Sequence, residues 1–186
     1  MGSLPTREEA HSLLKEHMKE ESLLKHCYAV EAGMRGVARA IGEDEELWSR
    51  AGLLHDIDYE EYPDEHPIKG VEWLGKLGLP PELVHAVASH YTERTNVPRE
   101  SKFDFALWGV DELSGLIITT ALVRPSKLIA DVKVKSVKKK MKDKAFARAV
   151  NRDAIVTVAA ALNLELSEFI RMVLEGMQEA HESLGL

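Results

Sequence analysis

Residues 21–42, ESLLKHCYAVEAGMRGVARAIG, decide the architecture. Leu23, Leu24, Cys27, Val30, Met34, Val37 and Ile41 recur at steps of three and four and lay one apolar stripe along a helix. Gly42 stops it, because glycine takes the left-handed conformation that ends a helix. Such a stripe needs partners, and the flanking sequence supplies helices. Thr6 with Glu9 predicts a capped helix over 6–19. Further helices are expected over Glu45–His55, His66–Leu77 with Pro67 in its first turn, Pro80–Tyr91, Phe103–Val123, Asn151–Leu162 and Ser167–Ser183. Residues 56–65 and 92–102 read as loops, and 126–149 as short helices. The alternation VKVKSV at 132–137 is the one strand signal and is too short to build a sheet. The expected fold class is all-α, a bundle of roughly eight helices.

A chain of 186 residues with 45% hydrophobic and 30% charged residues has the composition of a folded domain rather than a disordered one. The expected organisation is an N-terminal helix over 1–20 packed on the domain, a core over 21–125, and a basic segment with C-terminal helices over 126–186 completing the same domain. No apolar stretch is read as reaching the roughly 18–20 residues that span a bilayer, so no membrane contact is expected. The acidic N-terminus lacks the features of a secretory signal. The single cysteine, Cys27, excludes an intramolecular disulfide and a cysteine-based zinc site, and a cytoplasmic location is the expectation. Cys27 follows His26, but adjacent helical residues point about 100° apart, so Cys27 is assigned to packing.

The net charge of −7 argues against a general nucleic-acid binder. Its distribution is uneven: −11 over residues 1–123, +9 over 124–152 and −5 over 153–186.

Five features carry chemistry: His26 on the long helix, His55–Asp56 after the apolar run AGLL, His66, His90, and Asp111 within FALWGVDELSGLI. A carboxylate in an apolar helix is costly to bury unless paired or metal-bound. Asp111 also has the plainer reading of a polar face shared with Glu112. Imidazoles and carboxylates are ligands of divalent transition metals, and helices of a bundle can bring them together.

The order of His26, His55–Asp56 and Asp111 resembles the HD superfamily of metal-dependent phosphohydrolases. The resemblance covers roughly residues 21–125. AGLLHDI at 51–57, HPIKG at 66–70, AVASH at 86–90 and the Arg-Pro at 124–125 are similar to that family's segments in the same order. It implies an HD-domain-like helical bundle with a divalent metal on His26, His55, Asp56 and Asp111. In a binuclear site His66 and His90 would hold a second ion and Asp56 would bridge. His85 competes with His90, but the two point about 140° apart on a helix. The implied reaction is attack of a metal-activated hydroxide on the phosphate ester of a nucleotide or related small molecule, with Asp58 and Glu60 as acid–base candidates beside Asp56. Phosphodiester cleavage, dinucleotide pyrophosphohydrolysis and a non-catalytic metal- and nucleotide-binding module are the alternatives. The cofactor would be one or two ions of Mn, Fe, Co, Ni or Zn, with Mg alone disfavoured by the histidines.

Tyr59–Glu60 stands where alarmone hydrolases carry an acidic pair, and no Gly-Tyr-Pro of the cyclic-dinucleotide branch occurs. Arg124, Lys135, Lys138 and Lys139 are expected to meet the substrate's phosphates at the rim, the alternative being a solvated helix face. The expected partner is a small phosphorylated substrate rather than nucleic acid, since the basic block holds Phe146 as its one aromatic residue. Homo-oligomerisation stays open.

Overall fold

The computed structural model describes residues 2–186. Among them lie eleven α-helices and no strand: α1 (Arg7–His17), α2 (Glu21–Ile41), α3 (Glu45–Leu54), α4 (Ile68–Lys76), α5 (Pro81–Ser89), α6 (Thr92–Thr95), α7 (Lys102–Leu122), α8 (Val134–Met141), α9 (Arg152–Ala161), α10 (Leu166–Glu179) and α11 (His181–Leu184). A single 3₁₀ turn, Ile129–Asp131, precedes α8. The all-α class holds. Of VKVKSV, Val132 and Lys133 are extended and Val134–Val137 opens α8, where Val134, Val137 and Met141 face the core while the lysines face out.

Local chemistry explains the boundaries. Thr6 and Glu9 form the expected capping box at the start of α1. Ser101 and Asp104 form another at the start of α7. Gly42 ends α2 at φ 78°. Pro67 stands before α4 rather than inside its first turn, and the 92–102 loop contains the one-turn α6.

Helices α2 and α7 form the centre. α2 packs against α3, α7 and α10, and α7 also packs against α5, α8 and α9. Gly52 lets α3 approach α2: a Cβ there would lie 2.8 Å from the Val30 carbonyl oxygen. That approach sets the end of α3 beside His26. α1 is fastened by Arg7, whose guanidinium donates to both Glu31 oxygens at 2.7 and 2.9 Å. α7 differs from the reading of its sequence. By length and composition it is apolar enough to cross a bilayer, with a mean hydropathy of 1.3 over its best window. More than half of that window is buried against neighbouring helices, which accounts for its apolar length.

Candidate metal centre

Four helices bring the polar groups together. α2 contributes His26; the end of α3 contributes His55 and Asp56; the turn before α4 contributes His66; the end of α5 contributes His90; α7 contributes Asp111. His55, His66 and His90 are buried. Asp56 and Asp111 keep 14% and 24% of their side-chain surface, enough to open onto a cleft.

Two clusters result. His26, His55 and Asp111 offer ligand atoms all within 4.8 Å of one another, and so do Asp56, His66 and His90. Asp56 joins them: its Oδ2 lies 3.7 Å from His26 Nε2, and its Oδ1 lies 3.3 Å from both His55 Nε2 and His66 Nε2 and 3.8 Å from His90 Nε2. Asp111 Oδ1 lies 3.0 Å from His26 Nε2 and 3.6 Å from His55 Nε2.

Hydrogen bonding on the far side of three rings, His55, His66 and His90, decides what faces inward. His55 Nδ1 donates to the Gly52 carbonyl at 2.8 Å, and His90 Nδ1 donates to the Val87 carbonyl. A carbonyl only accepts, so in the neutral rings both protons sit on Nδ1 and both Nε2 lone pairs point into the cluster. His66 Nδ1 donates to Asp58 Oδ1 at 2.7 Å, which aims its Nε2 at His90 Nε2, 3.2 Å away. His55 Nε2 is buried without a hydrogen-bond partner. With the rings neutral, the inward Nε2 atoms of His55, His66 and His90 and the oxygens of Asp56 and Asp111 make a nitrogen–oxygen set that suits a divalent transition metal.

Electrostatics follow the same geometry. Burial disfavours the charged form of His55, but Asp56 and Asp111 outweigh it and hold the imidazole up to about 9. Burial, with His55 beside it, drives His90 down to about 4. Burial raises Asp111 and Asp56, yet His26, His55 and His66 overcome it and both carboxylates lie below their ordinary range. Burial, reinforced by Asp56 and Asp111, pushes the Cys27 thiol well up, which suits packing and not nucleophilic attack.

The assigned acid–base candidates stand elsewhere. Asp58 is fully buried, with one oxygen on His66 and the other accepting the Gly70 amide at 2.7 Å. It orients the His66 ring, and both its oxygens are engaged. A Cβ on Gly70 would come 3.2 Å from that carboxylate, so glycine is needed for the approach. Glu60 turns outward and accepts the Lys19 and Glu20 amides at 2.7 and 2.9 Å, capping the α1–α2 junction. His85 turns away from the cluster toward Asp104 at 3.1 Å, leaving His90 the inward position.

The basic residues expected at the rim also stand away from the cleft. The cluster floors a cleft of about 760 Å³ whose walls include Tyr59, Tyr91, Glu93, Trp108, Glu112 and Asn151, with no lysine or arginine among the lining residues. Arg124 lies beyond the end of α7, roughly 20 Å along the axis from Asp111. Lys135, Lys138 and Lys139 line a different groove on α8. The rim residues had a signal in the sequence: Trp108, Asp111 and Glu112 stand at i, i+3 and i+4 on one helix face. Glu112 accepts the Asn151 amide at 2.7 Å, and burial pushes its carboxyl up to about 7. Arg99 stacks its guanidinium 3.7 Å from the centre of the Trp108 ring and donates to the His90 carbonyl at 3.1 Å.

Residues 23–119 match the HD domain family. Similar proteins include ribonuclease Y of Desulfotalea psychrophila, 32% identical over 98 residues, which are 51% of this chain and 18% of that protein. Ribonuclease Y of Oleidesulfovibrio alaskensis is 31% identical over 98 residues, again 51% and 18%. Ribonuclease Y of Bacillus thuringiensis (strain Al Hakam) is 38% identical over 82 residues, 41% of this chain and 16% of that protein. The chain thus spans less than a fifth of the length of these curated relatives. No solved structure matches. The chain belongs to the HD domain family, within a superfamily of metal-dependent phosphohydrolases.

Proposed function

We propose that this member of the HD domain family hydrolyses the phosphate ester of a nucleotide or related small molecule, using one or two divalent transition metals. The convergence of both lone-pair clusters on Asp56 carries the reading. His26, His55 and Asp111 would hold one ion, His66 and His90 a second, and Asp56 would bridge. A bound divalent ion supplies Lewis acidity and an acidified water nucleophile. The chain's own residues do the rest. Asp58 locks the His66 ring, and the Gly52 and Val87 carbonyls lock His55 and His90, so the ligand nitrogens need no rearrangement. Tyr59, Tyr91 and Trp108 offer aromatic faces to a planar leaving group. Glu93 and Glu112 on the walls, with no lining cation, favour a single phosphate over a polyphosphate chain.

A phosphodiester substrate is the second reading, supported by the similarity to proteins named ribonuclease Y. Metal content and turnover test both. Protein purified without chelator should carry about one or two transition-metal ions per chain, and His55→Ala and Asp111→Ala should lose metal and activity together. Hydrolysis of nucleoside monophosphates against bis(p-nitrophenyl) phosphate separates monoester from diester chemistry. A wild type that takes up no metal, or variants that keep it, would overturn the proposal.

A further inference from the structure

We infer that the lysine face of α8 is a docking surface for the phosphate backbone of a single-stranded polynucleotide. Ten lysines and arginines lie between residues 124 and 148, against two acidic residues. Among the described residues none of the ten meets a carboxylate within 4.0 Å, whereas several cations elsewhere do: Lys25 with Glu21, Lys76 with Glu72, Arg39 with both Glu45 and Glu179. The nearby Asp143 carboxylate caps its own turn, one oxygen accepting the Ala145 and Phe146 amides, and pairs with none of the ten.

The arrangement is directional. Val137 is buried and Val134 and Met141 pack on the core, so the opposite side of α8 presents Lys135, Lys138, Lys139 and Lys142. Lys135, Lys138 and Lys142 follow i, i+3, i+7 spacing and form one row. With Lys139, Val134 and Ser167 these three line a groove of about 500 Å³. The following turn carries the exposed Arg148, and the next residues, Ala149 and Asn151, line the metal cleft. From Lys142 to Ala149 the chain spans at most about 24 Å, so a strand lying along the lysines reaches the cleft.

Charge complementarity names a polyanion, and the cleft narrows the class. Single-strand binding combines a cationic track with aromatic faces for unstacked bases. Here the two parts come from different segments: phosphates meet α8, while Tyr59, Tyr91 and Trp108 in the cleft meet bases. An anionic bilayer is the weaker fit, because a surface-lying helix must offer its apolar face, and α8 has buried its own. The docking surface stands independently of the hydrolase reading; entry of the strand's end into the cleft rests on it.

The test is fluorescence anisotropy with a labelled single-stranded oligoadenylate across a salt series. The wild type is compared with a variant combining Lys135→Glu, Lys138→Glu, Lys139→Glu and Lys142→Glu, whose fold is checked by circular dichroism; a four-fold Gln variant serves if the Glu variant misfolds. Wild-type affinity should fall with salt, and the variant should lose at least about tenfold, with a salt slope shallower by about three. Equal affinity in the two proteins overturns the inference. So does a wild type that ignores the oligonucleotide but binds phosphatidylserine vesicles, or one whose lysine row instead mediates self-association in sedimentation. Turnover of bis(p-nitrophenyl) phosphate is read in parallel and should be unchanged by the substitutions. If the wild type lacks that turnover, the hydrolase reading fails while anisotropy still decides this one.

Discussion

The cleft around Asp56 and the lysine face of α8 handle charge in opposite ways. In the cleft six ionisable groups crowd within a few ångströms, and three of the four rings, His55, His66 and His90, are held from behind by a carbonyl or carboxylate. On α8 the charges meet no carboxylate, and Lys135, Lys138, Lys139 and Lys142 are exposed. The first arrangement is preorganised for an ion and ill-suited to variation. The second tolerates substitution and acts through its summed field. Charge density alone therefore does not mark a catalytic site; the hydrogen bonds behind the charges do.

Asp56→Ala offers the sharpest break. It removes the one carboxylate shared by both clusters, so turnover should drop by about 10³-fold or more with loss of metal from both. Retained metal at full stoichiometry would show that the clusters do not depend on the bridge. Asp58→Asn is next: the ligands remain but His66 loses its charged anchor. Elemental analysis in a chelator titration should show roughly 10–100-fold weaker retention of one ion; an unchanged titration would reduce Asp58 to packing.

The Asp104–His85 pair measures what a buried acid–histidine contact does without a cluster. Burial alone would raise Asp104, but the Ser101 and Glu100 amides and then His85 hold it below the ordinary carboxylate range. A carboxyl lowered in the folded state stabilises above its unfolded value of about 3.9. That contribution fades as pH falls through the folded value. Asp104→Ala should therefore cost about 1 kcal/mol or more near neutral pH and progressively less below about pH 4. Urea unfolding at several pH values checks this, and a pH-independent difference would refute it.

The smallest effect falls on the other region. Lys138→Ala with Lys139→Ala should leave KM for bis(p-nitrophenyl) phosphate within about twofold, as surface changes away from a site do. A tenfold rise would return these lysines to the rim and erase the contrast.

The residues that the fold gathers into the two clusters were legible because most sit in a telling local context: an apolar helix around Asp111, AGLL before His55–Asp56, HPIKG around His66, AVASH ending in His90. Asp58, Glu60 and the basic residues of 124–139 lie away from the cleft because proximity in sequence does not imply proximity in space. Asp58 and Asp56 are two residues apart, yet Asp58 points to the back of His66. Glu60 is four residues from Asp56 and caps another helix junction. Asn151 reaches the cleft from forty residues beyond Asp111, tied by its amide to Glu112.

Periodicity and capping by themselves determined that this chain is helical, where most helices begin and end, and which polar residues interrupt apolar faces. Those are local properties, governed by backbone sterics and by residues three or four positions apart. Which imidazole nitrogen faces inward, that Asp56 joins two clusters, and that the basic block lies outside the cleft were decided only when α2, α3, α5 and α7 closed on one another. The reason is range: ligand geometry and desolvation act over a few ångströms between groups that are tens of residues apart in the chain.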